Sequence, residues 1–251
     1  MNLSDANTIF IPGATSGIGL DLALRLQSEG NTVIVGGRRT ELLARIASEH
    51  PGIDTIQIDT ADSNSIAAAA SQLAESHPAL NALITMAGIM EPEDLRDPAS
   101  IEVAERTIAV NLLGPIRLVN AFLPGLLAQP KATIMTVSSG LAFVPLAATP
   151  TYNATKAGIH SFTESLRVQL TKSAVQVVEL VPPATQTTLM GLQDNPTAMP
   201  LGDFIDEVIA LLKRHPEADE ILVERVKWQR NAEAEGRYPE VLEALSSGYR
   251  D

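Results

Sequence analysis

The chain alternates short apolar runs with longer stretches whose apolar residues recur every three to four positions. The runs cover residues 8–11, 32–35, 55–58, 82–85, 133–137 and 175–180, and β-branched side chains are frequent in them. Near-continuous apolar runs of this length suit strands buried on both faces. Between them, Leu20, Leu22, Ala23 and Leu26, then Leu42, Leu43 and Ile46, fall at helical spacing, and Ala67 to Leu73 reads as an alanine-rich helix. Strand and helix in alternation predict right-handed crossovers and a doubly wound parallel sheet with helices on both faces, an α/β class with three α/β/α layers. No repeat of fixed period and no long Gly/Ser/Pro linker interrupts it, so residues 1–251 are expected to form one domain.

Beyond residue 181 the rhythm loosens. Val181-Pro182-Pro183 ends the sixth run, and residues 184–200 mix Thr, Gln, Asn, Pro and Gly with Leu189, Met190 and Leu192. That composition predicts a long mobile loop or short helices of the kind that lids a site, with 185–200 shaping the substrate side. Residues 203–214 read as a helix, 221–223 as a last strand, and 226–246 as helical and polar. The charges of the tail (Arg225, Lys227, Arg230, Glu233, Glu235) are expected to be solvated.

Composition removes whole classes of chemistry. The 251 residues contain no cysteine, which excludes disulfides, thiolate metal sites and cysteine nucleophiles within the chain. A net charge of −12 speaks against a general affinity for nucleic acid or anionic lipid. The charged fraction is 19% and apolar residues make 45%, with no uninterrupted apolar run of about 20, so neither a disordered nor a membrane-spanning chain is expected. The first seven residues carry no basic-then-apolar pattern of a secretory signal, and the expected location is cytoplasmic. His50, His77, His160 and His215 lie far apart, so no metal site is expected. Glu91-Pro92-Glu93-Asp94 reads as a solvated loop.

Pro12-Gly13-Ala14-Thr15-Ser16-Gly17-Ile18-Gly19 follows the first strand and opens the first helix. Glycines there permit a tight turn and a close backbone approach, and the helix start offers free N–H groups to a pyrophosphate. The spacing is G-x-x-x-G-x-G, and the strand-turn-helix context makes it a Rossmann-like dinucleotide site. At the end of the second strand, Gly36-Gly37-Arg38-Arg39 stands where NAD-binding proteins of this architecture place an acid. Two guanidinium groups suit a ribose 2′-phosphate, which favours NADP(H) over NAD(H).

Tyr152-Asn153-Ala154-Thr155-Lys156 puts a phenol and an ammonium four apart on one helix face. A cation there is expected to lower the tyrosine pKa from its ordinary value near 10, making Tyr152 a proton donor to a carbonyl or an acceptor from an alcohol. Thirteen residues upstream, Ser139 ends the fifth strand within reach of the same oxygen. Leu141, Phe143 and Val144, between them, are equally open to lining an apolar substrate pocket or to filling the core.

Gly13, Gly17, Ile18 and Gly19, with Asn111, Ser139, Tyr152 and Lys156, resemble the short-chain dehydrogenase/reductase family over residues 7–190. The resemblance implies Tyr152 as catalytic acid/base and Lys156 as its pKa-lowering neighbour and holder of the nicotinamide ribose. Ser139 would orient the carbonyl, and Asn111 would hold a relay water. It also implies cofactor contacts at Thr15, Ser16, Asp59, Thr60, Ala87, Gly88, Pro182, Thr185 and Thr187, and a homodimer or homotetramer joined through the helices after Asn111 and around Tyr152. The departures are Pro12 for threonine, Thr85-Met86-Ala87-Gly88 for Asn-Asn-Ala-Gly, and Pro182-Pro183 for Pro-Gly. The Pro-Pro pair, Asn31-Thr32-Val33 and Arg230-Asn231-Ala232-Glu233 resemble a bacterial DltE-type branch of the family. The expected substrate is a small carbonyl or alcohol with an apolar portion. A non-catalytic NADP(H)-binding sensor on the same fold is the alternative, less suited to an intact tyrosine, lysine, serine and asparagine.

Overall fold

In β1 (Thr8–Pro12), Ile9 and Ile11 point to one side of the sheet and Phe10 to the other, as alternation along a strand requires. Each face therefore needs its own helical cover. The computed structural model describes residues 1–3 and 6–247; Ser4, Asp5 and residues 248–251, included in the one-domain expectation, lie outside the described residues. After β1 come α1 (Gly17–Ser28), β2 (Thr32–Gly37), α2 (Thr40–Glu49), β3 (Ile53–Gln57), α3 (Ser63–Ser76) and β4 (Ala82–Thr85). Then follow α4 (Ser100–Ile108), α5 (Gly114–Leu127), β5 (Ala132–Val137), α6 (Pro150–Leu170), β6 (Val175–Leu180), α7 (Leu201–Arg214), β7 (Glu220–Ile221), α8 (Lys227–Arg230) and α9 (Tyr238–Ser246).

The strands lie in the order β3-β2-β1-β4-β5-β6-β7 and every pairing is parallel. The order runs outward from β1 to β3 and then restarts at β4, so β1 and β4 flank the switch point where a crevice opens at the carboxyl ends. On one face Ile9, Ile11, Val33 and Val35 pack with Leu22 and Leu26 of α1 and Phe204 and Val208 of α7. On the other, Phe10, Ile34, Leu83 and Ile134 meet Ile66 of α3, Leu118 and Phe122 of α5 and Leu166 of α6. Each such fully buried side chain contributes about 1.5–3 kcal/mol relative to exposure.

α4 and α5 join through one π-helical turn, Ala109–Leu113. The joined run, Ser100–Leu127, is long and apolar enough to cross a membrane by length and composition. Its stripe Leu118, Val119, Phe122 and Leu126 is packed into the second core face.

Three expectations shift. The third strand spans Ile53–Gln57, two residues earlier than its apolar run, and Ile58 is buried just past it. The last strand keeps only Glu220–Ile221. The stretch 226–246 is two short helices: Gly236, at φ +69°, breaks it, and Pro239, lacking an N–H, fits only the first turn of α9. Within it, Ala232 and Val241 are fully buried beside Val144.

Candidate active site

The glycine turn is shaped by backbone crowding. Gly13 has φ +89°, and a Cβ there would stand 2.4 Å from the Ala87 Cα, so β1 and the β4 exit approach too closely for any side chain. At Gly19 a Cβ would lie 2.8 Å from the Ala14 Cα and 2.9 Å from the Met86 Cγ. Met86 packs on the first core face where the family's second asparagine would stand. Thr85, at the other substituted position, is buried with its hydroxyl unpartnered. Pro12 lies beyond the β1–β4 pairs Ile9↔Ala82 and Phe10↔Leu83, so its missing N–H removes no bond there.

α1 begins with no side chain capping it and no acid in its first turn, leaving its N-terminal amides for an anion. Thr15 stands close to Gly37, where a Cβ would come 2.4 Å from the Thr15 Cγ2. Arg39 Nη2 reaches the Thr15 hydroxyl at 3.4 Å. Arg38 and Arg39 are exposed at the end of β2, and among the described residues neither pairs with a carboxylate. Asp59 accepts the Ala61 N–H at 2.9 Å, next to buried Thr60. Thr187 folds over the turn, its Cγ2 3.4 Å from where a Gly17 Cβ would be. The segment 184–200 is pinned: Gln186 donates to the Met199 carbonyl and Met199 to that of Ala184, both at 2.8 Å. Thr185 is buried there, its hydroxyl on the Pro183 carbonyl, and Pro182 accepts the Gly140 N–H at 2.9 Å. These partners tie both ends of the segment, and its middle forms a short 3-10 helix, Leu189–Asp194, one of the two forms expected for it.

Ser139, Tyr152, Lys156 and Asn111 come together, all buried. Tyr152 and Lys156 share the sheet-facing side of α6, with the ammonium 5.5 Å from the phenol ring centre. Lys156 Nζ donates to the Val137 carbonyl at 2.8 Å. The Ser139 hydroxyl accepts the Leu141 N–H at 3.1 Å and acts on the phenol, favouring its ionised form. Here the expected lowering of the tyrosine pKa is overturned: burial pushes Tyr152 up to about 12, and the Ser139 hydroxyl offsets only part of this. A buried phenolate loses more hydration than a cation at this distance returns. The same burial draws Lys156 down to about 8, against the pull of Glu179.

Asn111 sits in the π turn, where the widened helix lets its amide face the β4 exit. Its Nδ2 donates to the Ile89 carbonyl at 2.7 Å and its Oδ1 accepts the Ile89 N–H at 2.9 Å. Asn111 therefore latches the loop carrying Gly88, whose Cβ, if present, would come 3.6 Å from Asn111 Oδ1 and 3.8 Å from Lys156 Nζ.

The acidic run after β4 needs a correction. Glu93 is buried, not solvated, and accepts both the Thr151 N–H at 3.0 Å and its hydroxyl at 2.6 Å. It caps α6 one residue before Tyr152, since Thr149 makes no side-chain cap. Sequence reasoning missed it because the partner lies 58 residues away. The pattern did leave one sign: the acid faces a helix start opening on Pro150, which has no N–H to offer. Leu141 and Phe143 line an apolar cavity of about 490 Å³ with Leu146, Ala154, Tyr238 and Leu242, whereas Val144 is core. Ser139, Tyr152 and Lys156 are not among its walls.

A family model of the short chain dehydrogenases matches residues 7–197. The chain is 42% identical over 184 residues, 73% of each sequence, to the uncharacterized oxidoreductase DltE of Bacillus subtilis (strain 168). A short chain dehydrogenase from Burkholderia cenocepacia J2315, solved in complex with NADP, matches at a TM-score of 0.82 and 26% identity, covering 97% of this chain and 98% of its own. A 3-ketoacyl-(acyl-carrier-protein) reductase from Brucella melitensis, complexed with NADH, shares the fold at a TM-score of 0.75 and 24% identity, over 85% of this chain and 93% of its own. The chain belongs to the short-chain dehydrogenase family of oxidoreductases.

Proposed function

We propose that this oxidoreductase is NADP(H)-dependent and exchanges a hydride between the nicotinamide and a carbonyl or alcohol carbon, with Tyr152 as acid/base. The observation that carries the reading is the buried trio in which the Lys156 ammonium stands 5.5 Å from the Tyr152 ring and Ser139 lies near enough to the phenol to draw its pKa down against burial. When bound, the nicotinamide supplies or accepts the hydride. The residues at the switch point fit such a group: an uncapped helix start for the pyrophosphate, Arg38 and Arg39 for a 2′-phosphate, Asp59, Thr60, Ala87 and Gly88 beside the adenosine, and Pro182, Thr185 and Thr187 across the turn.

A phenol held near 12 keeps its proton at neutral pH, so Tyr152 starts as a donor to a carbonyl oxygen. Ser139, whose oxygen already accepts the Leu141 N–H, keeps its own proton to share with that same oxygen. As the proton leaves, the Lys156 ammonium stabilises the phenolate in a site closed to water. In the reverse direction the same pair draws the proton from an alcohol. Apolar Leu141 and Phe143 beside the serine support a substrate with an apolar portion. Exposed Leu127 on α5 and Val168 on α6 support association of copies through these helices, and one sheet with a core on each face supports a single domain.

The test is a panel of ketones, aldehydes and alcohols followed at the nicotinamide absorbance with both cofactors. Tyr152→Phe is expected to lower kcat at least a thousandfold on any active substrate while NADPH affinity stays within about threefold. Retained turnover in that variant overturns the mechanism. NADPH binding without turnover by the unaltered chain favours a non-catalytic sensor.

A further inference from the structure

The turn between β3 and α3 is fastened residue by residue. Ser65 Oγ accepts the Asp59 N–H at 2.9 Å, and the Asp59 carbonyl accepts the Asp62 N–H at 3.2 Å. Asp59 Oδ1 accepts the Ala61 N–H at 2.9 Å. The Ala61 carbonyl is taken from outside the turn: Arg117 Nη1, 56 residues on, donates to it at 2.8 Å. Ala61 is therefore held at both ends, by a carboxylate at its N–H and a guanidinium at its carbonyl. A hydrogen bond from a charged donor is stronger than a neutral one. Among the described residues Arg117 pairs with no carboxylate, so the carbonyl is what fixes this half-buried guanidinium.

Arg117 ends the first turn of α5, three residues after Gly114, so the two share a helix face. Gly114 brings that face close: a Cβ on it would lie 2.9 Å from the Thr60 carbonyl oxygen. Three residues before Gly114, Asn111 latches the Ile89 backbone and with it the loop of Gly88. One helical run thus holds two loops, the Asp59–Ala61 turn through Gly114 and Arg117, and the Gly88 loop through Asn111. These are the loops read above as flanking the adenosine. A carboxylate can only accept hydrogen bonds, and the 6-amino group is the donor that an adenine ring offers. Ala61 occupies Asp59 Oδ1, which leaves Oδ2 to take that amine.

We propose that Arg117 is a positioning residue for the adenine end of the cofactor: by holding the Ala61 carbonyl it keeps the Ala61 N–H on one oxygen of Asp59 and so leaves the other set for the adenine amine. The proposal rests on the reading of Asp59 as an adenosine contact. Without the guanidinium the Ala61 peptide can rotate and the carboxylate loses its fixed orientation, so both must be ordered when the cofactor binds. The loss is selective. It falls on the adenine amine and spares the pyrophosphate and the 2′-phosphate, which the same reading gives to α1 and to Arg38 and Arg39.

The test is direct binding by the full chain, followed by nicotinamide fluorescence. The probes are NADPH and its hypoxanthine analogue, in which an oxygen replaces the 6-amino group. The unaltered chain is expected to bind NADPH about tenfold more tightly than the analogue, the scale of one hydrogen bond to a charged group. Arg117→Met keeps an apolar stem and removes the donors. It is expected to shrink that preference below about threefold, with NADPH weakened and the analogue nearly unaffected. Arg117→Lys keeps a charged donor and is expected to keep most of the preference; a lysine no better than methionine overturns the proposal. A structural role alone would weaken both cofactors by one factor, so an unchanged ratio in Arg117→Met also overturns it. If Arg117→Met does not fold, Arg117→Gln, shorter and uncharged, decides by the same ratio. Asp59→Ala separates the proposal from the reading beneath it. An unaltered chain that binds neither cofactor or both alike, or a preference that survives Asp59→Ala, overturns the Asp59 reading and the proposal together. A preference abolished in Asp59→Ala but intact in Arg117→Met overturns the proposal alone.

Discussion

Residues 8–60 and residues 184–246 meet at the glycine turn, where Thr187 covers Gly17, but the two regions are held by different means. In the first, strand, turn and helix follow one another, and each constraint acts within the segment or on a neighbouring strand. Gly13 is fixed by the backbone of Ala87, and Gly37 by Thr15. In the second, strong helical periodicity is confined to α7, and outside it the fastenings span the molecule. Arg230 crosses to Phe143, and a Cβ on Gly140, in the turn after Ser139, would strike Gln229 at 2.4 Å. The first region therefore tolerates little at single positions, while the second spreads its stability over many weaker contacts.

Substitutions can break that contrast or sharpen it. The largest effect is expected at Gly13→Ala, which meets both a left-handed φ and the Ala87 backbone. A loss of about 3 kcal/mol, read as a fall in Tm on the order of 10 °C, should accompany loss of NADPH binding. Next comes Arg38→Ala with Arg39→Ala, expected to raise the NADPH KM about thirtyfold from lost charge-assisted bonds while the NADH KM changes less than threefold. Equal changes for the two cofactors would contradict the assignment. Glu93→Gln leaves a neutral acceptor at the start of α6 and is expected to cost about 1 kcal/mol, with a drop in kcat exceeding the change in KM because Tyr152 rides on that first turn. A thermal melt and steady-state kinetics on one preparation separate the two effects. The smallest effect is expected at Gly191→Ala. Its φ is +67° but no atom lies within 4 Å of a Cβ, so only the conformational cost of about 1 kcal/mol remains. If Gly191→Ala proved as damaging as Gly13→Ala, the contrast between the regions would be wrong.

The same contrast explains what could be read from the chain. The apolar runs foretold six of the strands within two residues, because a strand buried on both faces leaves a continuous signature. Gly13, Ser139, Tyr152 and Lys156 announced themselves because turn and helix geometry link residues a few positions apart. Glu93 and Glu179 were illegible for the opposite reason. An acid in a loop and an acid inside a strand look like solvated surface until a partner 58 residues on, or a serine 41 residues back, comes into contact. The tyrosine pKa went astray by the same route. Spacing revealed the cation, but it could not reveal the depth of burial that outweighs it.

The π turn at Ala109–Leu113 carries a consequence for how this protein could change over generations. A helix with five residues to a hydrogen-bonded loop contains, in effect, one residue more than its length requires. Deleting Ala109 or Val110 would give an ordinary α-helix and leave α4 and α5 on nearly the same axis. It would also swing Asn111 through about 100° and release Ile89. The most regular form of this helix and the form that holds the Gly88 loop are therefore different molecules one codon apart.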